Sequence, residues 1–214
     1  MKRKLTLSFD NGPTPGITER VLDELSARSI LSTFFVVGRD LQREGSRALV
    51  QRAKDAGHWI GNHTMTHSVL LGASDDPDTP AAEITAAQDV LGDLAEDDRL
   101  FRPWGGGGIL GPNLLSRAAI QLMERDRFTC VLWNSVPRDW EHPTAWIDRA
   151  LSDIAAQDWT LLVIHDIAGG AMDHLAEFLD RVDAEGVEIV QDFPDECVPV
   201  RKGVLTGPID HLIH

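Results

Sequence analysis

Cysteine is nearly missing from this 214-residue chain: Cys130 lies in an apolar run and Cys197 near the C-terminus. Two cysteines do not make a disulfide framework. Long hydrophobic runs are missing too. No apolar segment approaches the ~18 residues needed to span a bilayer. The run at 5–9, which follows Met1 to Lys4, is too short for a signal-peptide core. The expectation is a cytoplasmic chain without a membrane span, or a secreted one if a leader has been removed. Basic side chains are scarce, with 20 Lys+Arg against 34 Asp+Glu and a formal net charge of -14. Such a chain repels phosphate backbones and anionic lipid, and Lys2-Arg3-Lys4 is too short a basic patch to override that field. Nucleic acid is not expected as a partner. Tyrosine is absent altogether, as are internal repeats and low-complexity segments.

What is present suits one buried core: 43% hydrophobic and 25% charged residues, in a length too short for two full domains. One domain over 1–214 is expected. Short apolar runs at 5–9, 33–37, 58–61, 100–103, 129–133, 161–164 and 187–190 read as strands. Amphipathic stretches separate them. Ile17, Val21, Leu22 and Leu25 share one helical face, and so do Ile84, Ala87, Leu91 and Leu94. Others run over 46–56, 112–125, 143–157 and 172–184. Alternation of this kind implies βαβ units and a parallel sheet, with strands apolar on both faces. A doubly wound open sheet and a barrel both fit the pattern. Asp10, His63, Arg102, Asn134 and His165 all fall at or just past strand C-terminal ends, where barrels collect their chemistry. That favours an α/β fold of the parallel (β/α)7-type distorted barrel. The Asp- and Pro-rich stretch at 73–80 reads as a surface loop.

Three short segments carry candidate chemistry. In His63-Thr64-Met65-Thr66-His67, two imidazoles four residues apart on a helical turn would point the same way and share a metal such as zinc. In Ser8-Phe9-Asp10-Asn11-Gly12-Pro13, an acidic residue closes the first strand; the same residues also suit a plain turn. In Leu162-Val163-Ile164-His165-Asp166, a histidine ends a buried strand. It is either a satisfied core residue or a general acid of near-neutral pKa. His142, His174, His211 and His214 read as surface or loop residues.

Together these segments resemble the polysaccharide deacetylase (NodB-homology, carbohydrate esterase family 4) family over most of the chain. Its Thr-Phe-Asp-Asp-Gly-Pro motif appears as Ser8 to Pro13, and its His-(Ser/Thr)-x-x-His motif as His63 to His67. An Arg-Pro-Pro-Tyr-Gly type segment survives partly as Arg102-Pro103-Trp104-Gly105-Gly106. Two later motifs match Trp133-Asn134 through Asp139-Trp140, and Leu162 to His165. The resemblance implies a metal-dependent hydrolase that removes an acyl group, usually acetyl, from the nitrogen of a carbohydrate or small N-acylated substrate. It implies a divalent metal, zinc with cobalt or nickel as alternatives, held by His63, His67 and the residue at position 11. Asp10 would be the base and Arg102 its partner. His165 would be the acid, oriented by Asp139. The Gly105 N–H would meet the oxyanion, Trp104 would stand in the groove wall, and Trp140 and Leu162 would receive the acetyl methyl.

Two departures qualify the match. Asn11 stands where the family has a ligating Asp, which removes one negative charge and should weaken metal binding. Trp104 and Gly105 replace a Pro-Tyr pair. The glycines at 105–108 are not a phosphate cradle, since no Gly-Lys-Ser/Thr follows. Two further readings stay open: a small-amide hydrolase acting on cyclic ureides or formamides, and a catalytically idle carbohydrate-binding member. Oligomeric state is not legible.

Overall fold

The computed structural model describes residues 2–213. In chain order the elements are β1 (Lys4–Asp10), α1 (Thr18–Ala27), β2 (Thr33–Val36), α2 (Gly38–Leu41), α3 (Ser46–Asp55) and β3 (Trp59–Asn62). After a π-helical turn at Ala81–Thr85 come α4 (Ala86–Leu91), β4 (Leu100–Phe101), α5 (Arg117–Arg125), β5 (Thr129–Cys130) and α6 (Trp146–Ala156). The chain ends with β6 (Trp159–His165), α7 (Leu175–Ala184), β7 (Glu188–Val190), β8 (Val200–Arg201) and β9 (Val204–Leu205). All seven expected strands form, most of them trimmed or extended at their ends.

Strands β6-β1-β2-β3-β4-β5 pair in that order, and all are parallel. The sheet curls until Ser135, past β5, bridges Leu162 of β6. This closure makes the fold a distorted (β/α)7-type barrel rather than an open doubly wound sheet. The distortion has a visible source. β6 pairs along the whole of β1, so the other edge is shared: β7 takes Lys4 to Thr6 and β2 takes Ser8 to Asp10. β8 and β9 form an antiparallel hairpin on β5. Two-residue strands are too short to show a period of two, so the sequence pattern does not reveal them.

Period-two alternation sorts the strand side chains. Leu5, Leu7 and Phe9 of β1, and Leu162 and Ile164 of β6, pack into the cluster shared with the helices, where Val21, Leu22 and Leu25 of α1 also lie. Burying each such side chain is worth roughly 1.5–3 kcal/mol. Ser8, Asp10, Val163 and His165 therefore face the opposite way, into the barrel. α5 begins at Arg117, later than its apolar pattern suggests, because Ser116 caps it by accepting from the Ala119 amide at 3.1 Å. Among the described residues, no helix is long and apolar enough to cross a membrane.

Candidate active site

Parallel register builds the site. It sets Asp10, the last residue of β1, beside His165, the last of β6. It also sets Asn62 beside Phe101, which brings His63 to Arg102; His63 Nδ1 bonds the Arg102 carbonyl at 2.9 Å. With Nδ1 donating there, Nε2 is left facing the site, 3.5 Å from Asp10 Oδ2.

Arg102 is completely buried. Its Nη1 donates to Asp10 Oδ1 at 2.8 Å and to Ser8 Oγ at 2.7 Å. Its Nε and Nη2 donate to the Val131 and Leu132 carbonyls, and its Cζ lies 4.0 Å from the Phe35 ring centroid. Burial pushes the Asp10 carboxyl up. The Arg102 guanidinium, helped by His63 and His165, outweighs this and holds it below the ordinary aspartate range. Ser8 is a contributor the sequence reading missed. Its position two residues before Asp10 on the same strand face was the available signal.

A matching pair stands on the other side. Asp139, buried itself, accepts from the His165 backbone amide at 2.9 Å and bonds Nδ1 at 2.8 Å. The Trp140 ring stands edge-on to the imidazole, centroids 4.9 Å apart. Burial pulls the His165 pKa down. The hydrogen bond and charge of Asp139, with Asp10 and Asp166, more than reverse this, so it sits above the ordinary histidine value. Asp166 points away from the site, where it accepts a hydrogen bond from Thr18 Oγ1. Burial pushes its pKa up to about 7.

The expectation of a helical turn between the two histidines is not met. Residues 63–67 form an irregular loop in which Thr64 and His67 adopt left-handed φ values of 66° and 52°. The rings nevertheless meet, with centroids 4.9 Å apart, because Thr64 Oγ1 accepts from the His67 amide at 3.0 Å and folds the loop back. Burial holds both imidazoles below their ordinary pKa. For His67 the charge of His63 adds to it, pushing the value to about 3. Both rings are neutral near pH 7, the state a cation requires. Among the described residues, no three His, Cys, Asp or Glu side chains group as a metal site. The third donor is instead an amide. Asn11, at φ 74°, lines the same pocket as the two rings, and its Oδ1 is buried without a hydrogen-bond partner. Leaving such an oxygen unpaired costs about 1–3 kcal/mol, so two neutral nitrogens and an unused oxygen suit a divalent cation.

Of the expected site residues, Asp10, Asn11, His63, His67, Trp104, Gly105, Trp140 and His165 line one pocket of about 270 Å3. Arg102 and Asp139 are held behind it. Leu162 does not line it. It is fully buried in the helix-facing core, and alternation along β6 presents Val163 to the pocket in its place. Gly105 is required where it stands, since a Cβ there would lie 2.5 Å from the Trp133 ring. That ring donates from Nε1 to the Gly108 carbonyl at 3.1 Å, so Trp133 fills the wall next to Gly105. A larger groove of about 810 Å3 opens beside Trp59 and Trp159 at the opposite strand ends. It contains no histidine, and its one ion pair, Arg201 with Asp195 at 3.1 Å, is solvent-exposed, so size alone does not locate the chemistry. His142, His174 and His211 lie outside both cavities; His214 is outside the described residues.

A family model described as polysaccharide deacetylase matches residues 1–122. A peptidoglycan-N-acetylglucosamine deacetylase of Bacillus cereus is 28% identical over 195 residues, covering 87% of this chain and 84% of its own. A chitooligosaccharide deacetylase of Rhizobium leguminosarum biovar trifolii is 29% identical over 172 residues, covering 77% and 72% respectively. Among solved structures, a family 4 acetyl xylan esterase from Clostridium thermocellum in complex with a cobalt ion matches with a TM-score of 0.69. It is 26% identical and covers 88% of this chain and 88% of its own.

Proposed function

Because the chain belongs to the polysaccharide deacetylase family, and is thereby a hydrolase of carbon–nitrogen bonds, we propose that it removes the acetyl group from the nitrogen of an N-acetylated sugar. The proposal assigns Asp10 as base, His165 as acid, and His63, His67 and Asn11 as the ligands of a divalent cation, zinc or else cobalt or nickel. The observation that carries it is the pairing of Asp10 with His165 across β1 and β6, each backed by its own partner of opposite charge. A binding protein has no use for an ionised base and a protonated acid facing one small pocket.

When bound, a divalent cation supplies Lewis acidity toward the scissile carbonyl and toward water. The protein's own groups manage the protons. Arg102 keeps Asp10 ionised, so its carboxylate can take a proton from the attacking water as the oxygen bonds to the carbonyl carbon. The Gly105 N–H faces the charge that develops on the carbonyl oxygen. His165, with Nδ1 held by Asp139, delivers a proton from Nε2 to the nitrogen as the carbon–nitrogen bond breaks. Acetate and a free amine result. Val163 and Trp140 form the wall that receives the acetyl methyl. The test is acetate release from chitooligosaccharides and peptidoglycan fragments, set beside formate release from N-formylated small amides. Release only from the last would overturn the sugar assignment.

Two expectations concern the cation. His63→Ala and His67→Ala should each abolish bound metal; the unfolding midpoint should change little in His67→Ala and fall in His63→Ala, which takes the Nδ1 donor from the buried Arg102 carbonyl. Elemental analysis giving a full metal complement in either variant would remove that residue from the ligand set. Asn11→Asp should bind zinc at least ~10-fold more tightly by calorimetry, since even a change around a ligand alters affinity by ~10–100-fold and here a ligand gains a full charge. Equal affinities would mean that residue 11 does not reach the cation. The neutral oxygen of Asn11 also supports a second reading, an idle carbohydrate-binding member. Sugar binding without acetate release at saturating zinc would establish it.

A further inference from the structure

No regular element holds the second imidazole against the first, since residues 63–67 are irregular. The loop is gripped from two sides instead. On one, the amides of Gly38 and Arg39, at the head of α2, donate to the carbonyls of Thr64 and Met65 at 3.0 and 2.9 Å. On the other stands Glu83, with only 4% of its surface exposed, in the π-helical turn that precedes α4. Its Oε2 accepts from the Thr66 amide at 2.9 Å and its Oε1 from the Thr66 hydroxyl at 2.5 Å. Both oxygens are thus committed to one residue, the one immediately before His67. The same turn holds the other end of the loop. The Ile84 carbonyl accepts from Asn62 Nδ2 at 2.9 Å, and Asn62 Oδ1 accepts from the Thr64 amide at 2.9 Å.

A carboxyl group this buried is costly unless hydrogen-bonded. If the loop left Glu83, the acid would be stranded, and if Glu83 were removed, the Thr66 amide would lose its partner. Glu83 is absent from the pocket lining, so it has no direct part in the chemistry. Single π-helical turns often occur beside functional sites, and here the turn carries the acid that grips the ligand loop.

We propose that Glu83 is a positioning residue: by fixing Thr66 it sets where His67 stands relative to His63, and so sets the affinity of the site for a divalent cation. This rests on the reading that His63 and His67 are the ligands. The test titrates zinc into metal-free wild type, Glu83→Ala, Glu83→Gln, Thr66→Val and His63→Ala by calorimetry, with the unfolding midpoint of each measured alongside. Glu83→Ala should weaken zinc binding by ~10–100-fold, the range seen when a group supporting a ligand is removed. Glu83→Gln, which keeps one acceptor oxygen, should restore part of the loss, and Thr66→Val should cause a smaller one. The double variant Glu83→Ala/Thr66→Val should bind no more weakly than Glu83→Ala, since both changes remove one contact. If Glu83→Ala does not fold, Glu83→Gln and Thr66→Val decide. Wild-type affinity in the Glu83 and Thr66 variants, with a lowered midpoint and with binding lost in His63→Ala, would overturn the proposal and leave the ligands in place. Wild-type affinity in His63→Ala as well would overturn the metal reading beneath it.

Discussion

His165→Ala is expected to lower turnover by ~10²–10⁴-fold, the usual contribution of one positioned acid, while leaving metal content unchanged. The imidazole touches Asp139 and Trp140 and none of the proposed ligands, so its loss should leave the cation in place. The pH profile supplies a second readout. The protonated ring is the donor, and its pKa is held above the ordinary 6.5. Activity on the basic side should therefore persist to a pH above 6.5 and fall as pH rises through the elevated value. Removing Asp139 takes away the hydrogen bond and the nearest charge that raise it, so Asp139→Asn should move this limb to lower pH. A His165→Ala enzyme with near-normal turnover, or an Asp139→Asn limb that does not move, would take this pair out of the proton-transfer step.

Asp10→Ala should cause a loss of turnover of similar size, ~10²–10⁴-fold, together with a large loss of stability. Arg102 is fully buried and Asp10 is its only ion-pair partner among the described residues. Removing one partner of a buried pair typically costs about 3–5 kcal/mol, because the other charge is left uncompensated. The double variant Asp10→Ala/Arg102→Met should recover part of that stability and none of the activity. Recovery stays partial because the Val131 and Leu132 carbonyls lose the donors that Arg102 gave them. Urea unfolding of the three proteins, read beside acetate release, separates the two roles. If the double variant were less stable than Asp10→Ala, stranding of the Arg102 charge would not be the cause of the loss.

Both results depend on features of very different legibility. The strands were readable because each is an apolar run bounded by turn residues. Asp10 and His165 stood out because each closes such a run, and their pairing follows once those strands lie parallel in register. Leu162 shows the limit of reading residues one at a time: its type suits an acyl pocket, but alternation along β6 turns it to the helices and turns Val163 to the site. The histidine pair shows another. Spacing of four suggested a helical turn, yet Thr64 and His67 take left-handed angles and a hydroxyl closes the loop.

The sequence by itself determined which residues could do chemistry, the order of the elements, and the apolar faces that drive them together, since these depend on residue type and local period. Its acidic balance and lack of long apolar runs likewise follow from composition. Only the tertiary structure decided what those residues do to one another. The charge on Asp10 depends on a guanidinium that is distant in sequence. The neutrality of His67 depends on burial beside His63, and the grip of Glu83 on Thr66 depends on a π-helical turn that no residue pattern announces. Electrostatic and hydrogen-bond energies depend on separations of a few ångströms across strands and loops, which residue order does not specify until the barrel closes.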